Sequence, residues 1–449
     1  MGARSRPREV SLIQPTPTPM ARAALRWSLG HALPRTALRR AAEQGDLHGR
    51  MFVASQSGGR EALEPVLSEL RAHTPFYRGK FASVTADHAA VRALLSNPDA
   101  GARFRADGQG TLARLQAWAM EDAPLGPLTP PSLLVTEPPD HTRYRKLVSR
   151  VFTARAVERL RSRTQQIATE LLDRIDPKTP TDLVAAYCGL LPVTVIAEIL
   201  GIPARDRDKV LRLGAAAAPS LDLGLPWTTF RHVESALREF DQWLGQHLED
   251  LRRCPGDDLL SQLVVAQEDG VGLTEVELRS TAGLVLAAGF ETTVNLLGNG
   301  ITLLAGNSDQ RALLAERPDL WPNAVDEVLR LDPPVLLTGR MAMADTEVAG
   351  VPMPRGSVMV ALLAGANRDP RVFPEPDAFD VERPNAREHL SFSGGRHFCL
   401  GAALARMEGE VGLRSLFERY PDARVEGGAV RRSTRILRGY ERLPVTLSP

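Results

Sequence analysis

The 449-residue sequence predicts a mainly α fold with small β-sheets, arranged as one large domain behind a basic N-terminal extension. Three observations carry that prediction. Helical periodicity fills four long stretches, strand-like runs cluster in only two places, and no internal repeat or linker interrupts the chain after residue 50. Length alone suggests about three domains, but the unbroken pattern overrides that prior. The extension is 1–50 and the domain 51–449.

Residues 1–40 hold eight arginines against Glu9, a net +7, so the other 409 residues carry about −6. Such an arm suits an anionic surface, yet a solvated extension with a short helix behind it is the plainer reading. Gln14-Pro-Thr-Pro-Thr-Pro19 has the composition of an extended linker. An amphipathic piece over 21–29, with Arg22, Arg26 and Trp27, suggests contact with anionic lipid. Arg26, Pro34 and Arg35 cut every apolar run short of a secretory signal.

Apolar residues recur at three- and four-residue spacing over 155–175, 183–200 (interrupted at Pro192), 232–253 and 275–304, which predicts helices there. Strands are expected in 76–85 and in 346–363, where Gly350, Pro352, Pro354 and Gly356 punctuate β-branched runs. A Pro- and Asp-rich irregular segment follows to residue 384, then a Gly-rich loop and a final helix. Thr274-Glu275-Val276-Glu277 fits a capping box that starts the longest helix. Glu291, Asn295 and Asn299 in its middle argue against a membrane span. Inside it, Ala288-Gly289-Phe290-Glu291-Thr292-Thr293 is poor material for a buried helix centre. Two readings stay open: a packing kink, or a groove that sets a carboxylate and a hydroxyl beside a cofactor.

Three cysteines (Cys188, Cys254, Cys399) cannot form a disulfide framework or a four-cysteine cluster. Cys188 and Cys254 sit in ordinary contexts. Cys399 lies in Phe392-Ser-Gly-Gly-Arg-His-Phe-Cys399-Leu-Gly401, where it is expected to open a helix whose free N–H groups favour a thiolate. Nucleophile, redox sensor and metal ligand are all compatible with that setting.

These residues carry a resemblance. Phe392, Gly395, His397, Cys399 and Gly401 fall in the F-x-x-G-x-[HR]-x-C-x-G spacing of the cytochrome P-450 haem loop. Glu327-Val-Leu-Arg330 resembles that family's E-x-x-R helix, and Arg383 matches the arginine completing its triad. Ala288-Gly289-Phe290-Glu291-Thr292 resembles its oxygen-activation motif, and His141-Thr-Arg-Tyr-Arg145 its bacterial H-x-x-x-R helix. The soluble start and histidine-containing loop resemble the bacterial, particularly actinobacterial, branch.

The resemblance implies a single large helical domain with minor antiparallel sheets and a long central helix over haem b. Cys399 would be its axial thiolate ligand, tuned by Gly401 N–H and shielded by Phe392. His141, Arg145, Arg340 and His397 would hold the propionates, with Ala288, Gly289 and Gly395 against the macrocycle. Glu291 and Thr292 would relay protons toward bound O2. Glu327, Arg330 and Arg383 would be structural. Leu284, Ala288 and Thr292 recur every four residues on one helix face. Leu336 and Leu337 would add an apolar wall, or are plain core. The Pro- and Gly-rich 122–134 and 215–227 segments have the composition of lids.

The expected activity is insertion of one oxygen atom from O2 into a hydrophobic substrate of lipid, terpenoid, steroid or polyketide type. Electrons would come from NAD(P)H through a separate ferredoxin or flavodoxin and its reductase. Arg143, Lys146, Arg150, Arg396 and Arg406 would dock that partner. A haem-thiolate sensor without turnover is the alternative, against which the acid–alcohol pair argues. The expected state is a cytoplasmic monomer with no nucleic-acid partner and no transmembrane segment.

Overall fold

The structure, a computed structural model, describes residues 19–57, 60–103, 110–149, 154–268 and 271–447. Arg150 and the proline-rich stretch before Pro19 lie outside the described residues.

From Pro19 the extension is helical. Helix α1 (Pro19–Trp27) passes through a π turn at Ser28–Ala32 into α2 (Leu33–Glu43), and α3 (Leu47–Ala54) follows. Asp46 caps α3 by accepting the Gly49 N–H at 2.9 Å. Then come β1 (Tyr77–Arg78), β2 (Ser83–Thr85), β3 (Ala100–Gly101), α4 (Thr111–Met120), α5 (Asp140–Ser149), α6 (Ala154–Leu172) and α7 (Leu190–Ile199). The remaining elements used below are α8 (Trp227–Arg253), α9 (Glu275–Gly306), α10 (Trp321–Leu331), β4 (Thr338–Ala342), β5 (Val358–Ala361) and α11 (Ala402–Arg419).

The expected break near Pro192 falls just upstream, as a π turn at Val184–Cys188 before α7. Proline is tolerated in the first turn of α7, where its missing N–H removes no helical bond. The largest sheet has the order β1-β2-β5-β4-β3. One of its pairings departs from the expected antiparallel pattern: β5 runs parallel to β2, with Val360 opposite Val84. Strand β4 had no periodic signal, since Thr338-Gly-Arg-Met-Ala is set by pairing, with Arg340 opposite Met359 of β5.

Helix α9, 32 residues and about 48 Å long, crosses the main core. The predicted capping box forms: Thr274 Oγ1 accepts the Glu277 N–H at 3.4 Å, and Glu277 Oε2 accepts the Thr274 N–H at 2.8 Å. Leu278, Ala282, Leu286, Phe290, Val294, Leu297, Ile301 and Leu304 form a buried stripe at helical spacing. Helix α11 packs against both α6 and α9, and so presents the loop before it to the middle of the molecule. Among the described residues, no helix is long and apolar enough to cross a membrane.

Candidate active site

The cysteine loop is shaped by two left-handed residues, Ser393 (φ 61°) and Gly395 (φ 60°). A Cβ at Gly395 would lie 2.2 Å from the Leu95 carbonyl oxygen, so only glycine fits there. The Cys399 N–H donates to Phe392 O at 2.9 Å and closes the loop. Helix α11 starts at Ala402, with Gly401 as its cap, so Cys399 precedes the helix instead of opening it. The intervening turn frees the Gly401 N–H to donate to the sulfur. Cys399 retains accessible surface although protein surrounds its sulfur on nearly all sides, which describes a thiol facing an internal hollow. Burial pushes this thiol up; the Gly401 N–H and the charges of Arg145 and Arg406 oppose that. Phe392 packs beneath the loop, with the Arg406 guanidinium 4.6 Å from its ring centre.

Basic side chains gather around this loop, only some of them beside an acid. The His141 and His397 rings are 4.5 Å apart, and Nε2 of each is buried without a hydrogen-bond partner. Burial first, then the His397 and Arg145 charges, push His141 down to about 4. Arg145, one turn along α5 from His141, is half-buried and acts electrostatically on Cys399. Arg340, on β4, is 3% exposed; it donates to Thr338 Oγ1, Gly339 O and Ser393 Oγ, and burial pushes it down to about 10.

Glu137 has no place in any motif, yet it organises this corner. It accepts the Ala102 N–H at 2.5 Å and lies 3.3 Å from Arg396 and 3.5 Å from His397. Burial acts to raise its carboxyl, but His397 and the Ala102 N–H outweigh it and hold it below the usual range. Its only signal was position, four residues before His141.

In the middle of α9, where most positions are buried, Leu284 and Thr292 are half-buried and Ala288 is exposed. These three share a face, so the helix too borders a hollow. Gly289, on the next face, packs on Ile196. The helix stays regular here: Thr292 Oγ1 donates to the Ala288 carbonyl at 2.9 Å and no turn opens. Glu291 turns away to the C-terminal hairpin, where Arg432 Nη1 lies 2.6 Å from Oε1 without the alignment of a hydrogen bond. Burial pushes the Glu291 carboxyl up, and Arg432 opposes this. A second acid, Glu408 on α11, is fully enclosed; burial raises it far above the carboxylate range, and Thr293 Oγ1 donates to it at 3.4 Å.

Glu327, Arg330 and Arg383 come together in the core. Arg330 donates two bonds to Glu327 (2.6 and 2.7 Å), and Arg383 Nε one at 3.1 Å. Both arginines also bind carbonyls of the irregular segment: Asn367, Pro374, Glu375, Pro376 and Ala378. Asn367 in turn holds Ser391 Oγ and the Leu390 N–H, and so fixes the start of the cysteine loop.

Leu336 is 1% exposed and packs in a core cluster with Leu47, Met51, Leu63 and Leu67, because its backbone pairs with Ile436 and turns it inward, where it lines a small cavity with Leu331 and Ala364. Two expectations are corrected. The basic docking patch is largely neutralised: Arg143 pairs with Glu277 at 2.7 Å, Arg406 with Asp326 at 2.7 Å and Arg396 with Glu137. Arg26 and Trp27 point inward instead of toward lipid. Arg26 binds Glu234 on α8 and both Asp122 and the Ala119 carbonyl at the end of α4. Trp27 Nε1 donates to Leu225 O, and His31 Nδ1 accepts the Leu225 N–H. Helix α1 and the π turn after it thus tie the start of the 122–134 segment to the 215–227 segment.

A cytochrome P450 family profile matches residues 319–432. Cytochrome P450 140 of Mycobacterium tuberculosis is 51% identical over 434 residues, 95% of this chain and 98% of that protein. The chain belongs to the cytochrome P450 family. The 6-deoxyerythronolide B hydroxylase of Saccharopolyspora erythraea is 42% identical over 316 residues, 70% of this chain and 77% of its own. Among solved structures, myxobacterial cytochrome P450 CYP267B1 in complex with myristic acid aligns with a TM-score of 0.78 at 32% identity, covering 89% of this chain and 99% of that one.

P450 proteins are haem-thiolate monooxygenases, and the residues present fit that cofactor. Two imidazoles with orphaned nitrogens and the Arg145 and Arg340 guanidiniums suit a pair of propionates. A Cβ at Gly401 would meet nothing within 4 Å, which leaves room for a flat macrocycle against the loop.

Proposed function

We propose that this P450 hydroxylates a lipophilic substrate at haem b held by Cys399, with electrons delivered by a separate ferredoxin or flavodoxin system. The observation that carries the reading is the Cys399 sulfur, facing an internal hollow with Gly401 N–H on it and the His141, His397, Arg145 and Arg340 side chains around it, two of whose buried imidazole nitrogens have no hydrogen bond. When bound, the haem supplies O2 activation. The Gly401 N–H and the nearby Arg145 and Arg406 charges favour the thiolate form of Cys399. His141, Arg145, Arg340 and His397 hold the propionates, and Glu137 orients His397. Phe392 keeps water from the sulfur.

On the α9 side, Leu284, Ala288 and Thr292 border the substrate. Thr292 Oγ1 bonds to the Ala288 carbonyl at rest and is free to rotate and donate into the hollow. Glu291, held against Arg432, reloads that hydroxyl through water when its carboxyl leaves the arginine. A proton relay serves turnover and not sensing, so the monooxygenase reading is preferred to a binding protein. The myristic acid of one structural neighbour and the 6-deoxyerythronolide B of one relative's name support a lipophilic substrate.

The test is the carbon monoxide difference spectrum of the reduced protein, with the thiolate band present in wild type and absent in Cys399→Ala. Thr292→Ala should retain that band and lose product per NAD(P)H. Equal coupling in both would remove Thr292 from the relay.

A further inference from the structure

Around Cys399 the fixed charges do not cancel. Arg145, Arg340 and Arg396 bring three guanidiniums to this corner, and among the described residues Glu137 is the only carboxylate within ion-pair distance of any of them. Its Oε2 lies 3.3 Å from Arg396 Nη1, and its side chain is 15% exposed. It also acts electrostatically on Arg340 and on His141, both buried. Arg396 is held in place by the carbonyls of Asn97, at 3.3 Å, and Pro98. The carboxylate is fixed as closely. Its Oε1 accepts the Ala102 N–H at 2.5 Å, and a Cβ at Gly101 would lie 2.9 Å from that oxygen, so glycine leaves room for the approach.

His141 is pushed down to about 4, by burial first and then by the neighbouring charges, so it is uncharged at neutral pH. Burial acts to raise the Glu137 carboxyl, but His397 and the Ala102 N–H hold it below the ordinary range, so it is ionised there. Three guanidiniums against one carboxylate leave two positive charges, the number that two ionised propionates neutralise. Without Glu137 the same cradle would hold a surplus positive charge beside the haem. Because the cluster is largely buried, solvent and salt screen that charge weakly. A surplus positive charge favours the haem that has gained an electron, whereas a compensating carboxylate favours the oxidised form.

We propose that Glu137, beyond orienting His397, is the counter-charge of the haem cradle and lowers the reduction potential of the bound haem. The proposal rests on the haem-thiolate reading, which the carbon monoxide band of the same preparations checks separately. The step concerned is one-electron reduction of ferric to ferrous haem, with the electron taken from the ferredoxin or flavodoxin partner or, in the test, from an electrode through mediators. Spectroelectrochemistry on substrate-free holoenzyme reads the midpoint potential. Glu137→Gln keeps an acceptor for the Ala102 N–H and removes the charge. Its midpoint should move up, with a severalfold larger ratio of ferrous to ferric haem at a fixed potential. Glu137→Asp keeps the charge and should stay near wild type. Arg396→Gln should move the midpoint down, and combining it with Glu137→Gln should return the midpoint toward wild type, which added structural damage would not do. An unchanged or lowered midpoint in Glu137→Gln, or a double variant no closer to wild type than Glu137→Gln, overturns the proposal. If Glu137→Gln does not load haem, Arg396→Gln decides, and the absence of its downward shift overturns the proposal.

Discussion

Replacing Glu327 by alanine should prevent stable haem loading, and the size of the effect follows from its surroundings. Glu327 is fully buried and accepts four hydrogen bonds, three from Arg330 and Arg383 and one from the Asp380 N–H. The alanine variant leaves two guanidiniums, 0% and 5% exposed, with no carboxylate. Their bonds to backbone carbonyls remain, so what is lost is charge compensation. Removing one partner of a buried ion pair costs roughly 3–5 kcal/mol. Whole domains are stable by about 5–15 kcal/mol, so this is a large fraction. The same strain reaches the cysteine loop, because Arg330 holds the carbonyl of Asn367, whose side chain holds Ser391. Glu327→Gln, which keeps an acceptor without the charge, should fall between. Arg387→Ala breaks only the pair between Asp326 and a 76%-exposed arginine and should cost below about 1 kcal/mol. Haem content, the carbon monoxide spectrum and urea midpoints measure the series. A soluble, haem-loaded Glu327→Ala protein with the midpoint of Arg387→Ala would refute the reasoning.

Three further outcomes are expected. Arg432→Gln removes the charge opposing burial at Glu291, so that carboxyl moves further up and keeps the proton that reloads Thr292 to higher pH; coupling should therefore persist to higher pH than in wild type, and coupling profiles that superimpose on wild type would release Arg432 from this role. Glu408 is raised by burial, so its native penalty is absent below the ordinary value of 4.5 and grows as pH rises above it. Glu408→Gln should therefore melt higher than wild type at pH 8 and equally near pH 4, a difference thermal scans across pH will read. Arg26→Met should keep the haem spectrum while loosening 119–122 and 218–226, seen as faster amide exchange there and severalfold faster ligand association; unchanged exchange would reduce the arginine to a local packing role.

Much of this protein was legible in the linear sequence because the signals are local. The 275–304 periodicity and the Thr274–Glu277 capping box depend on contacts three or four residues apart, and both appear as expected. So does the meeting of Glu327 with Arg330, at one turn's spacing, and the demand for glycine at 395. Local rules fail where a partner comes from far along the chain. Nothing in Arg432 marks it, since it gains meaning only when the C-terminal hairpin is folded against α9. Glu137 became an organiser because Ala102, Arg396 and His397 close around it. Leu336 turned out to be core because its backbone pairs with Ile436. The lipid-facing reading of α1 failed for the same reason: Arg26 finds Glu234, 208 positions away, and takes the helix inward. By itself the sequence determined the helices, the caps and the cysteine loop, whose geometry is written in neighbouring residues. Beyond such neighbouring pairs as Glu327 and Arg330, only the tertiary structure decided which charges are paired, because burial and long-range partners set the balance between desolvation and attraction.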